Sequence, residues 1–236
     1  MLSLPQFALF SADTIWLSTL ADGRDISLLE KTSGAKIHTV IDPEDPERLE
    51  KWEARFKEEL VGDPEQLKKW ISVYCGSYEK LHALMYIYHE MGDIHTFRLL
   101  LGYFWTCCDN IGVYRDELAN LLSDGVDGLY TQVPELMDEE ELAALDSLPA
   151  EITIYRGCGP LNKNGLSWSL DREVAMWFPF SGRFHSDQPI LLTATIKKKR
   201  IAALKLHRGE QELIVVDLPE SCWTEEPIID PPPRKL

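Results

Sequence analysis

At Pro149 the apolar residues of this chain change period, and that change constrains the fold more than any other feature of the sequence. From about Pro46 to Leu148 apolar side chains recur every three or four residues, the spacing of one helix face. Leu49, Trp52, Phe56 and Leu60 form one such face. Asp63-Pro64-Glu65-Gln66 reads as a helix start, with Asp63 as cap, Pro64 in the first turn and Gln66 placed to reach back. Leu67, Trp70, Ile71 and Tyr74 carry that helix inward. The pattern predicts further helices over Tyr78–Met91, stopped by Gly92, and from the Asp93 cap through Ile94, Phe97, Leu100, Leu101 and Phe104. Shorter ones are predicted over Arg115–Leu122 and Glu139–Leu145, the latter with Asp138 as cap and Glu141 in the capping-box position.

Beyond Pro149 the runs shorten and become strand-like: Ile152–Tyr155, Ile190–Ile196, Ile201–Lys205 and Leu213–Val216, with one short helix over Asp171–Phe178. Strand-like runs also open the chain at Phe7–Phe10, Ile15–Leu20, Ile26–Leu29 and Ile37–Ile41, with Asp22-Gly23 as a turn. Helices grouped in the middle and strands at the end predict an α+β chain. Its regions are a β-rich segment over 1–42, a helical region over 43–148, a mixed β region over 149–226 and a proline-rich tail over 227–236.

The 236 residues carry 24 Lys+Arg against 39 Asp+Glu, a net charge of −15, and an evenly acidic surface would repel phosphate backbones. The charge is uneven. Between Glu151 and Asp217 ten cations face seven anions, a local +3, which leaves −18 for the rest. The final third is therefore the part suited to an anionic ligand. Five cysteines (Cys75, Cys107, Cys108, Cys158, Cys222) form no CxxC pair and read as reduced thiols, and the start of the chain lacks the basic region of a signal peptide. No apolar run approaches the ~20 residues of a membrane span. The expectation is a cytoplasmic chain with no membrane partner.

That same third holds three suggestive motifs. Arg156 closes an apolar strand and is followed by Gly157, a guanidinium fork for a phosphate beside a residue that lets a ligand approach the backbone. The competing reading is an arginine salt-bridged at a turn. In Ser167-Trp168-Ser169, two hydroxyls on an extended segment point the same way ahead of a helix. Either Ser169 or Asp171 would cap that helix, leaving Ser167 to hold another side chain. In Glu210-Gln211-Glu212, two carboxylates share one face at a strand entrance and repel unless a cation, hydroxyl or ligand joins them. A solvated strand entrance is the bland alternative.

Arginine on a strand, Ser-x-Ser heading a helix and Glu-x-Glu heading a strand, in that order, resemble the Arg-Ser-Glu signature of ADP-ribosyltransferases. The likeness is to mono-ADP-ribosylating bacterial toxins and their phage relatives, and it covers about residues 152–216. Arg156 and Glu212 stand only 56 residues apart, which makes this a compact version. The resemblance implies a transferase-like mixed β core that uses NAD as substrate and needs no metal. It implies that Arg156 binds the dinucleotide phosphates and that the Gly157 backbone holds the nicotinamide carboxamide. Ser167, with Ser169 beside it, would orient the catalytic glutamate or the nicotinamide-side ribose. Glu212 would stabilise the oxocarbenium-like centre, and Glu210 would face the acceptor. The stretch 179–188 would close over nicotinamide, with Phe180 and Phe184 as aromatic stack and Gly182 and Arg183 in the same loop. The acceptor would be a macromolecule, with protein favoured over nucleic acid and both a protein side chain and a nucleic-acid base left open. Two alternatives stay open: an NAD glycohydrolase, and a non-catalytic acidic interaction or inhibitor protein on the same scaffold.

Other patterns carry less. His89 and His95 are six apart with Gly92 between them, whereas zinc-binding HExxH needs a spacing of four on one helical face. Gly157-x-Gly159 lacks a third glycine and a following helix. Cys107 and Cys108, beside Phe104 and Trp105, read as core thiols. Lys197–Arg200 reads as a solvated hairpin tip able to touch a nucleic-acid acceptor. Trp52, Phe56, Trp70 and Tyr74 read as core.

Overall fold

The computed structural model describes residues 64–109, 111–123, 132–181, 184–207, 211–216 and 218–232. The strand-like runs of 1–42, the helical face of Leu49 to Leu60, the Asp63 cap and residues 233–236 of the proline-rich tail lie outside the described residues. The chain divides into two compact units, the first ending at Val113 and the second beginning at Tyr114.

In the first unit, helices α1 (Pro64–Tyr74), α2 (Ser77–Met91) and α3 (Ile94–Phe104) follow one another. Pro64 opens α1, where its missing N–H costs nothing. Helix α2 stops where the sequence supplies the one residue suited to left-handed backbone: Gly92 has φ +65° and its N–H donates to the Tyr88 carbonyl at 2.8 Å. Asp93 then caps α3, accepting from the N–H groups of His95 and Thr96 and from the Thr96 hydroxyl. Leu67, Trp70, Ile71, Phe97, Leu100, Leu101 and Phe104 are buried at positions the helical period marked, and Leu81 and Leu84 are buried on α2. Cys108 is buried just past a short 3-10 turn at Trp105–Cys107, and burial pushes its thiol well above the ordinary range.

His82 on α2 is also buried, and burial, aided by the nearby His89, lowers its pKa from 6.5 to about 4. Between those two values the unfolded chain binds a proton that the folded chain does not. Stability should therefore be level above pH 6.5 and fall as pH drops from 6.5 to 4, by about 3 kcal/mol in all. Denaturation midpoints at pH 7, 6, 5 and 4.5 measure this, and His82→Gln should remove most of the slope in that window.

The second unit begins with α4 (Arg115–Leu121) and α5 (Glu139–Ser147) and continues as an antiparallel six-stranded sheet. Its strands are β1 (Glu151–Cys158), β2 (Ser167–Ser169), β3 (Ile190–Lys197), β4 (Ile201–Lys205), β5 (Glu212–Val215) and β6 (Trp223–Pro227), with α6 (Arg172–Trp177) between β2 and β3. The spatial order is β4-β5-β2-β1-β3-β6. Mixed helices and strands are as expected of an α+β chain. The sequence reading had no β6: Thr224-Glu225-Glu226 shows no apolar alternation, because this is an exposed edge strand protected by charge and ended by Pro227.

Lys197–Arg200 is not a hairpin tip. Strand β3 pairs with β1 and β6, and β4 pairs with β5, so the basic run is a crossover, with a 3-10 turn at Lys198–Arg200. In a flat sheet β3 and β4 would stand about 19 Å apart, whereas the four-residue step from Lys197 to Ile201 reaches at most about 14 Å. The sheet must bend between them; its thinnest pairing is the single β1–β2 register pair Tyr155↔Ser169. The rings of Trp168 on β2 and Trp223 on β6 accordingly meet, centroids 6.0 Å apart, although two strands separate them in the order. Ile152, Ile154, Trp168, Leu192, Ala194, Leu213 and Val215 are buried on this inner face. No helix among the described residues is long and apolar enough to cross a membrane.

Candidate functional site

The three motifs arrive on three neighbouring strands. Arg156 lies on β1, Ser167 and Ser169 bound β2, and Glu212 begins β5, in the spatial order β5-β2-β1. Register then decides which side chains share a face. Lys205 pairs with Glu212, Glu212 with Ser169, and Ser169 with Tyr155, so these four stand abreast on one face. Ser167, two residues before Ser169, belongs to that face as well. Arg156 is one residue past Tyr155 and so turns to the inner face with Trp168 and Leu213. The structure thus gathers Ser167, Ser169 and Glu212 and sets Arg156 behind them.

On the inner face the guanidinium of Arg156 is held by backbone. Nη1 donates to the Ser167 carbonyl at 2.7 Å, and Nη2 and Nε donate to the Asn162 carbonyl at 2.9 and 3.3 Å. It also rests on Gly165, where a Cβ would come within 2.0 Å of Nη2. Burial lowers the pKa of Arg156, while the nearby Cys158 and Glu212 act the other way. The charge of Glu212 therefore reaches Arg156 although the two side chains leave opposite faces. In this arrangement Arg156 ties loop 159–166 to the sheet. A small cleft of about 10 Å³, room for roughly one water molecule, lies beside that loop, among Arg115, Lys163, Trp168 and Trp223. That is far below the ~300–1,000 Å³ usual for a drug-sized ligand.

Asp171 is the cap of α6, accepting from the N–H groups of Glu173 and Val174, and the Ser169 hydroxyl accepts from the Asp171 N–H at 3.0 Å. Both capping candidates take part, in series. Ser169, not Ser167, lies directly across from Glu212. At Gly157 it is the protein's own backbone that approaches: a Cβ there would lie 1.8 Å from the Ala175 carbonyl oxygen of α6.

Phe180 ends a 3-10 turn at Phe178–Phe180 and packs, half-buried, on Ala175, Leu191 and Ile228 together with Tyr155 and Met176. Phe184 is exposed, its ring 5.9 Å from that of Phe178. The segment folds back on itself, with the Ser186 N–H donating to the Pro179 carbonyl at 2.9 Å. Gly182, Arg183 and Glu210 lie outside the described residues.

Sequence reasoning missed the group on the other side of Glu212. Lys205 and Glu141 form a buried ion pair, Nζ to Oε2 at 2.6 Å, each side chain 3% exposed or less. Nζ also donates to the Leu136 carbonyl at 2.7 Å. Glu141 accepts from the N–H of Asp138 at 3.1 Å and of Leu206 at 3.1 Å. The available signal was a lysine ending an otherwise apolar run, Ile201-Ala202-Ala203-Leu204-Lys205, where a fully buried strand demands a buried partner. No protein-family model, curated protein or solved structure matches this chain.

Proposed function

We propose that the chain is an NAD-consuming mono-ADP-ribosyltransferase. What supports the reading is the placement of Arg156, Ser167–Ser169 and Glu212, spread over 56 residues of sequence, on three adjacent strands of one sheet, with the serines and Glu212 on one face and Arg156 on the other. Glu212 is half-buried, with the Ser169 hydroxyl across one ladder and Lys205 across the other, an environment suited to an ionised carboxylate that accepts from a ribose hydroxyl. In the reaction the bond between nicotinamide nitrogen and ribose C1′ breaks, and its electron pair leaves with nicotinamide. Glu212 stabilises the positive charge developing on the ribose. The acceptor nucleophile then bonds to C1′ and loses its proton to solvent or to a nearby carboxylate. For Arg156 to take the phosphates, loop 159–166 must release the guanidinium from its carbonyls.

The test is labelled NAD incubated with the purified protein and a bacterial lysate, following label in protein, nucleic acid and released nicotinamide. Glu212→Gln should lower nicotinamide release by about 10²–10³-fold while circular dichroism stays that of the wild type. Undiminished release in that variant would overturn the assignment. Label confined to small molecules would instead identify a glycohydrolase.

One observation favours a second reading, a binding scaffold that does not turn over: every described donor contact of Arg156 is spent on backbone carbonyls. NAD binding without nicotinamide release from the wild type would select it.

A further inference from the structure

Burying a polar side chain is costly unless it is paired, and a buried ion pair is often replaceable by apolar residues with no loss of stability. Where such groups cluster, they call for a reason beyond folding. Among the described residues after Tyr114 the buried polar side chains are Glu141, Ser169 and Lys205. Two of the three flank Glu212, and the third is bonded to one of those two. Ser169 lies across the β2–β5 ladder, Lys205 lies across the β4–β5 ladder, and Glu141 is bonded to Lys205. Residues paired in this way have Cβ atoms about 4.5–5.5 Å apart on one face.

We propose that Lys205, anchored by Glu141, is a positioning residue for Glu212: it holds the Glu212 carboxylate ionised and aimed, and so sets the pH range of the reaction. This rests on the transferase reading for its chemistry, though not for its electrostatics. Glu141 fixes the ammonium in place, because the same carboxylate closes the cap of α5 and binds the Leu206 N–H, leaving Lys205 little freedom to swing. The pair is neutral overall, but its positive end is on the strand beside Glu212 and its negative end is on the helix behind. Among the described residues, Tyr155 on β1 stands beyond Ser169 on the same face as Glu212. Strand β2 brings only Ser167 and Ser169, Arg156 on β1 acts from the inner face, and His207 follows β4 at the surface. On α5, Glu139 and Glu140 are exposed in the first turn.

The experiment follows the Glu212 carboxyl directly, by carbon NMR titration of ¹³C-glutamate-labelled protein, with Glu212→Gln to assign the signal. The double variant Glu141→Leu/Lys205→Met removes the pair without stranding a charge, and in it the Glu212 titration should move up by about one pH unit. Glu141→Gln leaves the ammonium unbalanced and should move it down. Lys205→Arg keeps the charge and should stay near the wild type. The acid limb of the pH profile for nicotinamide release should move with the titration. A Glu212 titration that is the same in wild type and Glu141→Gln overturns the positioning role, even should the double variant not fold. Titrations that move as expected in a protein that releases no nicotinamide at any pH support the Lys205–Glu212 coupling and overturn the transferase reading instead.

Discussion

Replacing Lys205 by methionine is expected to cost the second unit about 3–5 kcal/mol, most of a typical domain's margin. The methionine fills the space well enough, so packing is a minor part of the loss. The cost comes from Glu141, whose carboxylate is 2% exposed and would lose its counter-charge where water cannot replace it. The Leu136 carbonyl would lose its donor as well. Substituting both partners, Lys205→Met with Glu141→Leu, should recover most of the deficit, because it removes two desolvated charges together. Urea denaturation of the wild type, the two single variants and the double variant completes the cycle. A Lys205→Met protein within about 1 kcal/mol of the wild type would mean that the pair is solvated in solution.

The second large effect is expected at Gly157. Its missing side chain is the space into which α6 packs, and an added Cβ would meet the Ala175 carbonyl oxygen at 1.8 Å and both the Ala175 carbonyl carbon and Pro179 Cδ at 2.8 Å. Two of those neighbours are backbone, so no rotamer change relieves the contact. Gly157→Ala must push α6 off the sheet, and a loss of about 3 kcal/mol is expected, the upper end for overpacking. For a unit of this size that lowers Tm by roughly 6–12 °C. Gly112, which has nothing within 4 Å of its own Cβ position and no positive φ, is the matched control, and Gly112→Ala should be close to neutral. Because α6 is capped through Asp171, which binds Ser169, the Gly157 variant should also disturb the residue across from Glu212.

The helices were legible because their signals are local. The Asp93 cap, the Gly92 stop and the Asp138–Glu141 capping box each involve residues within four positions of one another, and each forms as read. The apolar strands β1, β3, β4 and β5 were legible by the same token. Strand β6 was not, since its residues carry no apolar alternation and it exists only because β3 offers an unpaired edge. Strand β2 is three residues long, too short for a period to show.

What the sequence by itself determined is the helices with their caps, the longer apolar strands and the order in which the three motifs occur. It did not determine what those motifs face. A one-residue difference in register turns a side chain to the opposite face, and strand pairing joins segments tens of residues apart, so pairing is settled by the packing of the whole sheet. That is why Arg156 stands on the inner face bound to carbonyls, why Ser169 rather than Ser167 meets Glu212, and why Gly157 touches a helix. It is also why Glu141 has two tasks. As a capping residue it could be read three positions from Asp138. As the buried partner of Lys205, 64 residues away, it could be known only once α5 lay on β4.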